Sequence, residues 1–216
     1  MSGAPAILLI FDFDNTLVDS RINFPELRAT LTDMLARAGP LPAAREALLR
    51  LPILDLVECG RQRSPALAAA MWAAIETFEA EGLKDATAMP HAHRVLAGLA
   101  ARAYRLALLT NNARPATVRI LDALDLTQHF DLVVTRDDVP RLKPDPVGVR
   151  YIIDRLGPVR TAFLVGDSWI DGLTARAAGI RFVGFGPRRG DAEARGITAW
   201  AWVAELPELL DLDWES

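Results

Sequence analysis

The segment ILLIFDFDNTLVD, residues 7–19, decides the fold of this chain. It opens with an unbroken apolar run that is long enough for one strand and too short for a helix. Such a run is typical of a central strand in a parallel sheet, where both faces are buried. The run stops at Asp12, and Asp14 follows two residues later, so an extended backbone would direct both carboxylates to the same side. This pair indicates a metal site or, alternatively, an Asp/Asn-rich turn that caps a helix.

The rest of the chain predicts two regions of different structure. Residues 20–84 show helical spacing, and Ser64 and Pro65 mark the start of one helix as N-cap and first helical residue. Helices are predicted there at residues 24–38, 42–50 and 64–81, with residues 53–59 ambiguous. A bundle of short helices would bury their apolar faces. From about residue 90 helices alternate with strands, which are predicted at residues 105–110, 131–135, 161–165, 181–185 and 199–203. Alternation of this kind predicts a parallel sheet with helices on both faces.

Composition narrows the function classes. The chain has no apolar run near the roughly 20 residues that span a bilayer. Its start lacks the basic region of a signal peptide, and the single Cys59 cannot form an intramolecular disulfide. We therefore expect a cytoplasmic protein with no membrane partner. The net charge of −4 gives no reason to expect a nucleic-acid partner.

Polar residues follow three further predicted strands. Thr110 and Asn111 offer a hydroxyl and an amide that can bind phosphate oxygens, or simply form a turn. Lys143 precedes a proline in a loop, where it is either a solvated lysine or a partner for phosphate and carboxylate. Asp167 is a candidate ligand for a hard cation or a helix N-cap, and Asp171 lies one helical turn further on the same side.

The scarcity of lysine favours a special role for Lys143. Of the 24 basic residues only Lys84 and Lys143 are lysines, and the other 22 are arginines. A coding bias towards arginine explains the imbalance without any functional cause. A lysine that persists in such a chain indicates a position that needs an ammonium group and not a guanidinium.

Taken in chain order, Asp-x-Asp, Thr-Asn, Lys-Pro and Gly-Asp-x-x-x-Asp resemble the four motifs of the haloacid dehalogenase-like hydrolase superfamily. The segment FDFDNTL, residues 11–17, resembles its nucleophile motif, DxDx[TV]. The resemblance covers nearly the whole chain. It implies an α/β fold whose Rossmann-like, doubly wound parallel sheet core comprises residues 1–19 and 85–216. Residues 20–84 resemble the inserted α-helical bundle cap of phosphoglycolate phosphatase-like members.

The resemblance also implies a reaction, the hydrolysis of a phosphate monoester through an aspartyl-phosphate intermediate. Asp12 matches the nucleophile, and Asp14 matches the acid/base that protonates the leaving oxygen and then activates water. Lys143 matches the lysine that neutralises the nucleophile and the phosphate. Thr110 and Asn111 match the groups that hold the transferring phosphoryl.

A Mg²⁺ cofactor is part of the same resemblance. Its ligands would be Asp12, the main-chain carbonyl of Asp14, and Asp167, while Asp171 matches an acidic residue that supports the metal site. Asn15 departs from the family, because many members have glycine there. Asn tolerates an unusual backbone angle better than most residues, so we expect this departure to affect substrate fit and not the reaction.

The substrate class that the resemblance implies is a small phosphorylated metabolite. Alternatives stay open: a sugar phosphomutase on the same fold, or a catalytically idle binding or regulatory protein. A dehalogenase is disfavoured because it would lack an acid/base at the position of Asp14. Three arginines in the connections of the predicted cap, Arg21, Arg61 and Arg63, are candidates for binding a second anionic group or are solvated surface residues. The sequence leaves open whether the protein is a monomer or a homodimer.

Overall fold

A computed structural model describes residues 6–216, which divide into two compact units. One unit comprises the described chain up to Ser20 together with Ala86–Ser216, and the other is Arg21–Asp85. The elements run in the order β1 (Ala6–Phe11), β2 (Val18–Asp19), α1 (Phe24–Arg37), α2 (Arg45–Leu48), α3 (Ile53–Arg63), α4 (Pro65–Gly82) and β3 (Thr87–Ala88). They continue with α5 (Ala92–Ala101), β4 (Arg105–Leu109), α6 (Arg114–Ala123), β5 (Leu132–Val134), α7 (Val147–Leu156), β6 (Val159–Gly166), α8 (Trp169–Ala178), β7 (Arg181–Phe185), α9 (Arg189–Ala194) and β8 (Ala201–Val203).

A parallel six-stranded sheet forms the centre of the first unit. The strand order is β5-β4-β1-β6-β7-β8, so β1 is central and the order reverses on either side of it. This is the Rossmann-like order, and ligands of such sheets bind outside the carboxyl ends of the strands where the order reverses. The predicted α/β fold is confirmed, and β1 and β6 are the strands that border this point.

The burial of β1 explains its unbroken apolar sequence. Leu8 and Ile10 pack in one core cluster with Val149 and Ile152 of α7. Leu9 alternates to the other face of the strand and is fully buried as well. A strand covered on both faces leaves no position for a polar residue until the sheet ends.

The second unit is a small helical bundle with its own core. Leu27, Leu31 and Leu35 recur every four residues on α1 and are all buried, as an amphipathic helix requires. They pack in a cluster with Met71 and Ile75 of α4. The helices α3 and α4 also come close together, since a Cβ on Gly60 would lie 2.4 Å from the Met71 sulfur.

The helix boundaries show which local signals were reliable. Ser64 caps α4 as predicted, and its side chain accepts a hydrogen bond from the Leu67 N–H at 3.1 Å. The predicted helix at residues 42–50 is wrong in length, because only Arg45–Leu48 is helical. Its N-cap is Ala44, which has no side-chain acceptor for the first N–H groups. The ambiguous residues 53–59 belong to a helix that continues to Arg63.

Two features of the described chain were not anticipated. The segments on either side of the helical insertion pair as a short antiparallel ribbon, with Val18 opposite Ala88 and Asp19 opposite Thr87. Arg63 donates hydrogen bonds to main-chain carbonyls that follow or end α1, those of Leu35, Gly39 and Pro40. No helix within residues 6–216 is both long and apolar enough to cross a membrane.

Candidate active site

The candidate site begins where the central strand ends. Strand β1 ends at Phe11, and the Asp12 N–H still donates to the Val165 carbonyl of β6 at 2.9 Å. Asp167 follows directly after β6, so these two carboxylates leave neighbouring strands at the edge where the sheet order reverses. Both are buried, as is Lys143.

A tight turn places Asp14 beyond the strand. The Phe13 carbonyl accepts N–H groups from Leu17 at 3.1 Å and Val18 at 3.0 Å, which folds the chain back at once. Asn15 has φ of 58°, the left-handed conformation expected of a residue that stands where many relatives have glycine. The sequence predicted that Asp12 and Asp14 leave an extended strand on the same side. They do not, because β1 ends at Phe11, one residue before Asp12.

Lys143 bridges two buried carboxylates. Its Nζ lies 2.5 Å from Asp12 Oδ1 and 2.6 Å from Asp171 Oδ1. Burial opposes the charged form of Lys143, but the charges of Asp12 and Asp171 outweigh this effect and raise its pKa. Lys143 therefore stays a cation at neutral pH. The bridge fixes its position between the ends of β1 and α8.

Asp12 has a pKa well above its ordinary value despite this lysine. Burial is the largest cause, and the nearby carboxylates of Asp171, Asp167 and Asp14 add to it. The charge of Lys143 acts in the opposite direction. The site thus holds more negative charge than its own lysine compensates.

Asp171 is held in place on both sides. Its Oδ2 accepts hydrogen bonds from the Ser168 hydroxyl at 2.5 Å and the Ser168 N–H at 3.2 Å, a capping box at the start of α8. A Cβ on Gly166 would lie 2.5 Å from the Asp171 carboxyl carbon, so only glycine leaves room for this side chain. The N-cap of α8 is Ser168, which frees Asp167 from the capping role that the sequence left open.

Asp14 is bound through only one of its carboxylate oxygens. Asn112 Nδ2 donates to Asp14 Oδ2 at 2.8 Å, while the buried Oδ1 has no hydrogen-bond partner within residues 6–216. The Ser20 hydroxyl is close enough to favour the Asp14 carboxylate, although it makes no hydrogen bond of ordinary geometry. Burial prevails over both groups and raises the Asp14 pKa.

Asp167 faces a cation that the sequence did not indicate. Arg188 Nη1 lies 2.9 Å from Asp167 Oδ2, in a pair whose arginine is half exposed. Burial and the charge of Asp171 still raise the Asp167 pKa to about 7, against the effects of Arg188 and Lys143. The ionised form of Asp167 is destabilised in this way, so a further cation bound beside it would stabilise it.

The donor set fits a hard divalent metal. Asp12, Asp167 and Asp171 each offer a carboxylate oxygen, and these atoms all lie within 4.8 Å of one another. Oxygen ligands are the ones that Mg²⁺ and Ca²⁺ prefer. Both oxygens of Asp171 accept hydrogen bonds, one from Lys143 and one from the Ser168 capping box, and this fixed position suits Asp171 to supporting the site.

The two predicted phosphate-binding residues have different surroundings. Thr110 is buried, and its hydroxyl accepts the Asn112 N–H at 3.1 Å. The Asn111 side chain binds the Lys143 main chain at both ends, donating to its carbonyl at 3.0 Å and accepting its N–H at 2.9 Å. Both the nitrogen and the oxygen of the Asn111 amide are thus hydrogen-bonded to the main chain of Lys143.

Sequence reasoning missed three residues of the site: Asn112, Arg188 and Thr16, whose hydroxyl donates to Asp12 Oδ2 at 3.2 Å. Thr16 lies within residues 11–17, which resemble the nucleophile motif, so the sequence did contain a signal for it. Asn112 had a weak signal, since it follows Thr110 and Asn111 directly. Arg188 had none, because the chain contains 22 arginines and nothing in the sequence distinguishes this one.

Comparison with known proteins relates this chain to a family of hydrolases. Residues 9–185 match the family model for haloacid dehalogenase-like hydrolases. A curated phosphoglycolate phosphatase from Yersinia pestis is 33% identical over 197 residues, which cover 85% of this chain and 83% of the relative.

Solved structures share the fold. A haloacid dehalogenase-like hydrolase structure from Bacteroides fragilis superposes with a TM-score of 0.71 at 22% identity, covering 94% of this chain and 99% of that one. A Thermotoga maritima structure described as a β-phosphoglucomutase gives 0.64 at 22% identity, covering 94% and 96%. These two likenesses concern the fold alone. The family and the curated relatives together indicate a phosphatase, and the chain belongs to the haloacid dehalogenase-like hydrolases.

Proposed function

We propose that the chain is a Mg²⁺-dependent phosphatase that hydrolyses a small phosphorylated metabolite through an aspartyl-phosphate on Asp12. One observation carries the proposal: Lys143 Nζ lies within 2.6 Å of both Asp12 and Asp171 in a buried cluster that also contains Asp167. Burying ions costs several kcal/mol each unless they are paired. A cluster with this much excess negative charge is better suited to chemistry than to stability.

Asp12 and Asp167, with the main-chain carbonyl of Asp14, would hold the metal. When bound, the metal would neutralise charge on the phosphoryl oxygens and let a carboxylate approach a phosphate dianion. Lys143 adds a fixed positive charge on the other side of the Asp12 carboxylate. Such preorganised charge is the usual source of rate enhancement in phosphoryl transfer.

The reaction has two half-reactions in this proposal. An Asp12 oxygen attacks phosphorus, the bond from phosphorus to the leaving oxygen breaks, and Asp14 gives that oxygen a proton. A water molecule then gives a proton to Asp14 while its oxygen attacks phosphorus. The bond between phosphorus and Asp12 breaks, inorganic phosphate leaves, and the Asp12 carboxylate is regenerated. The covalent intermediate divides one difficult displacement into two easier ones.

Phosphate release by the purified protein tests the proposal. The substrates are a panel of phosphate monoesters that includes 2-phosphoglycolate, since relatives of this chain bear that name. We expect release with Mg²⁺ and none after EDTA treatment. Conversion of a sugar phosphate to its isomer without phosphate release would identify a phosphomutase. No turnover of any monoester with Mg²⁺ present would contradict the proposed activity.

The roles of the two units belong to the same proposal. Residues 1–19 and 85–216 would form the catalytic core, and residues 20–84 a cap that selects the substrate and moves during turnover. Fluorescent labels on exposed positions of each unit can report the distance between them with and without BeF₃⁻, which mimics an aspartyl-phosphate. We expect two distance populations that shift on addition, and one unchanged distance would contradict a moving cap.

A further inference from the structure

Two adjacent asparagines after β4 contact different members of the site. Asn111 holds the main chain of Lys143 at 3.0 and 2.9 Å. Asn112 contacts a side chain instead, and its Nδ2 donates to Asp14 Oδ2 at 2.8 Å. Only the first of these amides was assigned a role from the sequence. The second contacts the residue proposed as acid/base, and it does so directly.

Asn112 is itself firmly fixed. Its side chain is buried, its N–H donates to Thr110 Oγ1 at 3.1 Å, and its carbonyl accepts the Arg136 N–H at 3.1 Å. A buried side chain on an anchored backbone has little freedom to turn. The Asn112 amide can therefore hold Asp14 in one orientation.

The bond from Asn112 makes the two oxygens of Asp14 unequal. Oδ2 accepts the amide N–H, whereas the buried Oδ1 has no hydrogen-bond partner among the described residues. A protonated carboxyl group has one O–H donor and accepts hydrogen bonds best at its carbonyl oxygen. An amide that donates to Oδ2 thus favours Oδ2 as the carbonyl oxygen and Oδ1 as the oxygen that carries the proton.

We propose that Asn112 is a positioning residue that holds the Asp14 carboxyl group in the orientation from which it gives a proton to the leaving oxygen of the substrate. The inference rests on the proposed phosphatase function. As the phosphorus forms its bond to Asp12, its bond to the leaving oxygen breaks and the electron pair stays on that oxygen. The proton passes from the Asp14 carboxyl group to this oxygen, so an alcohol departs and Asp14 becomes a carboxylate.

Two substrates that differ in leaving group separate this role from a structural one. An alkyl phosphate must have its leaving oxygen protonated, whereas p-nitrophenyl phosphate loses a stable phenolate without help. The quantity to compare is kcat/KM, which reports the steps up to departure of the leaving group and excludes the later hydrolysis of the intermediate. The alkyl substrate is the best one found in the phosphate-release panel.

We expect Asn112→Ala to lower kcat/KM for the alkyl phosphate about 30-fold or more, since general acid catalysis contributes about 10²- to 10⁴-fold. The loss on p-nitrophenyl phosphate should stay within about three-fold, as no proton is needed there. Asn112→Leu is the matched variant, because it nearly keeps the size and shape of the side chain but removes the N–H donor without adding a charge beside Asp14. It should show the same selective loss while keeping the packing.

Circular dichroism and the melting temperature establish that each variant is folded, and a misfolded Asn112→Ala leaves the near-isosteric Asn112→Leu to decide. Equal losses on both substrates in a folded variant, or no loss on either, would overturn the inference and leave the phosphatase proposal intact. A wild-type protein that hydrolyses neither substrate would overturn the proposed function and this inference with it.

Discussion

Ion pairs in the two units of the chain are placed in opposite environments. In the helical unit, Arg45 and Asp33 pair at 2.6 Å with both side chains more than 40% exposed. In the sheet unit, Lys143 pairs with Asp12 and Asp171 while all three side chains are at least nine-tenths buried. Exposed pairs contribute little to stability because water and salt screen them. Buried pairs lose their hydration and often contribute no net stability at all.

The difference teaches where to look for chemistry in this chain. A surface pair arises wherever two long side chains meet, and evolution can lose it at little cost. A buried lysine between two aspartates is costly to form, so it is a better candidate for a role in chemistry than an exposed pair. We expect the largest effect from substitution of Asp12, the group on which the proposed reaction depends most.

Asp12→Asn should abolish turnover while the protein stays folded. An amide of the same shape is not a nucleophile, and removal of an essential nucleophile costs about 10⁴-fold or more. Because burial raises the Asp12 pKa in spite of the attraction of Lys143, the ionised carboxylate is destabilised in the fold, and a neutral amide removes that penalty, so we expect no fall in melting temperature. Phosphate release and thermal melting of the two proteins measure this. Retained turnover would mean that another group attacks the phosphorus.

Lys143→Arg should lower turnover about 100-fold, since a misplacement of about 1 Å at a catalytic group has an effect of this order. The guanidinium keeps the charge but is planar and larger than an ammonium, and the site has carboxylates on two sides of Nζ. We expect the melting temperature to stay the same.

Lys84→Arg is the matched control, because Lys84 is the other lysine of the chain and is exposed. It should leave turnover unchanged. Equal turnover of the Lys143→Arg variant and the wild type would mean that turnover does not require an ammonium group at this position. The buried pair would then differ from the exposed pair in burial but not in function.

Asp167 should make the metal-free protein less stable as the pH rises from about 4 to about 7. Its pKa is raised from 3.8 to about 7 in the folded state. In this range the folded protein keeps a proton that the unfolded chain has already lost, so the free energy of unfolding falls with rising pH. At about 1.4 kcal/mol per pH unit, the fall in the free energy of unfolding across this range is about 4 kcal/mol.

Urea unfolding at several pH values in EDTA, with wild type and Asp167→Asn, measures this slope. The variant cannot titrate at this position, so its stability should fall less across the same range. Mg²⁺ favours the ionised carboxylate and should reduce the slope in the wild type only. Parallel curves of unfolding free energy against pH for the two metal-free proteins would mean that folding does not raise the Asp167 pKa.

The sequence predicted the fold and most of the site because both depend on local patterns. The apolar run of β1 required burial on both faces, and the leucines at 27, 31 and 35 required a helix. The contacts of individual polar groups depend on distant parts of the chain. Nothing local determines that Asn111 binds Lys143, 32 residues away, or that Asn112 binds Asp14, 98 residues away.

The smallest effect is expected at the pair of Arg45 and Asp33. Because both side chains are largely in water, Arg45→Ala and Asp33→Ala should each change the free energy of unfolding by about 0.5 kcal/mol or less. A double-mutant cycle isolates the interaction from other effects of each substitution. Its coupling energy should be close to zero and should decrease further in high salt, as expected for a screened pair. Turnover of both variants should equal that of the wild type, since neither residue belongs to the proposed catalytic machinery. A coupling energy well above about 1 kcal/mol would show that exposure alone does not separate the two kinds of pair in this protein.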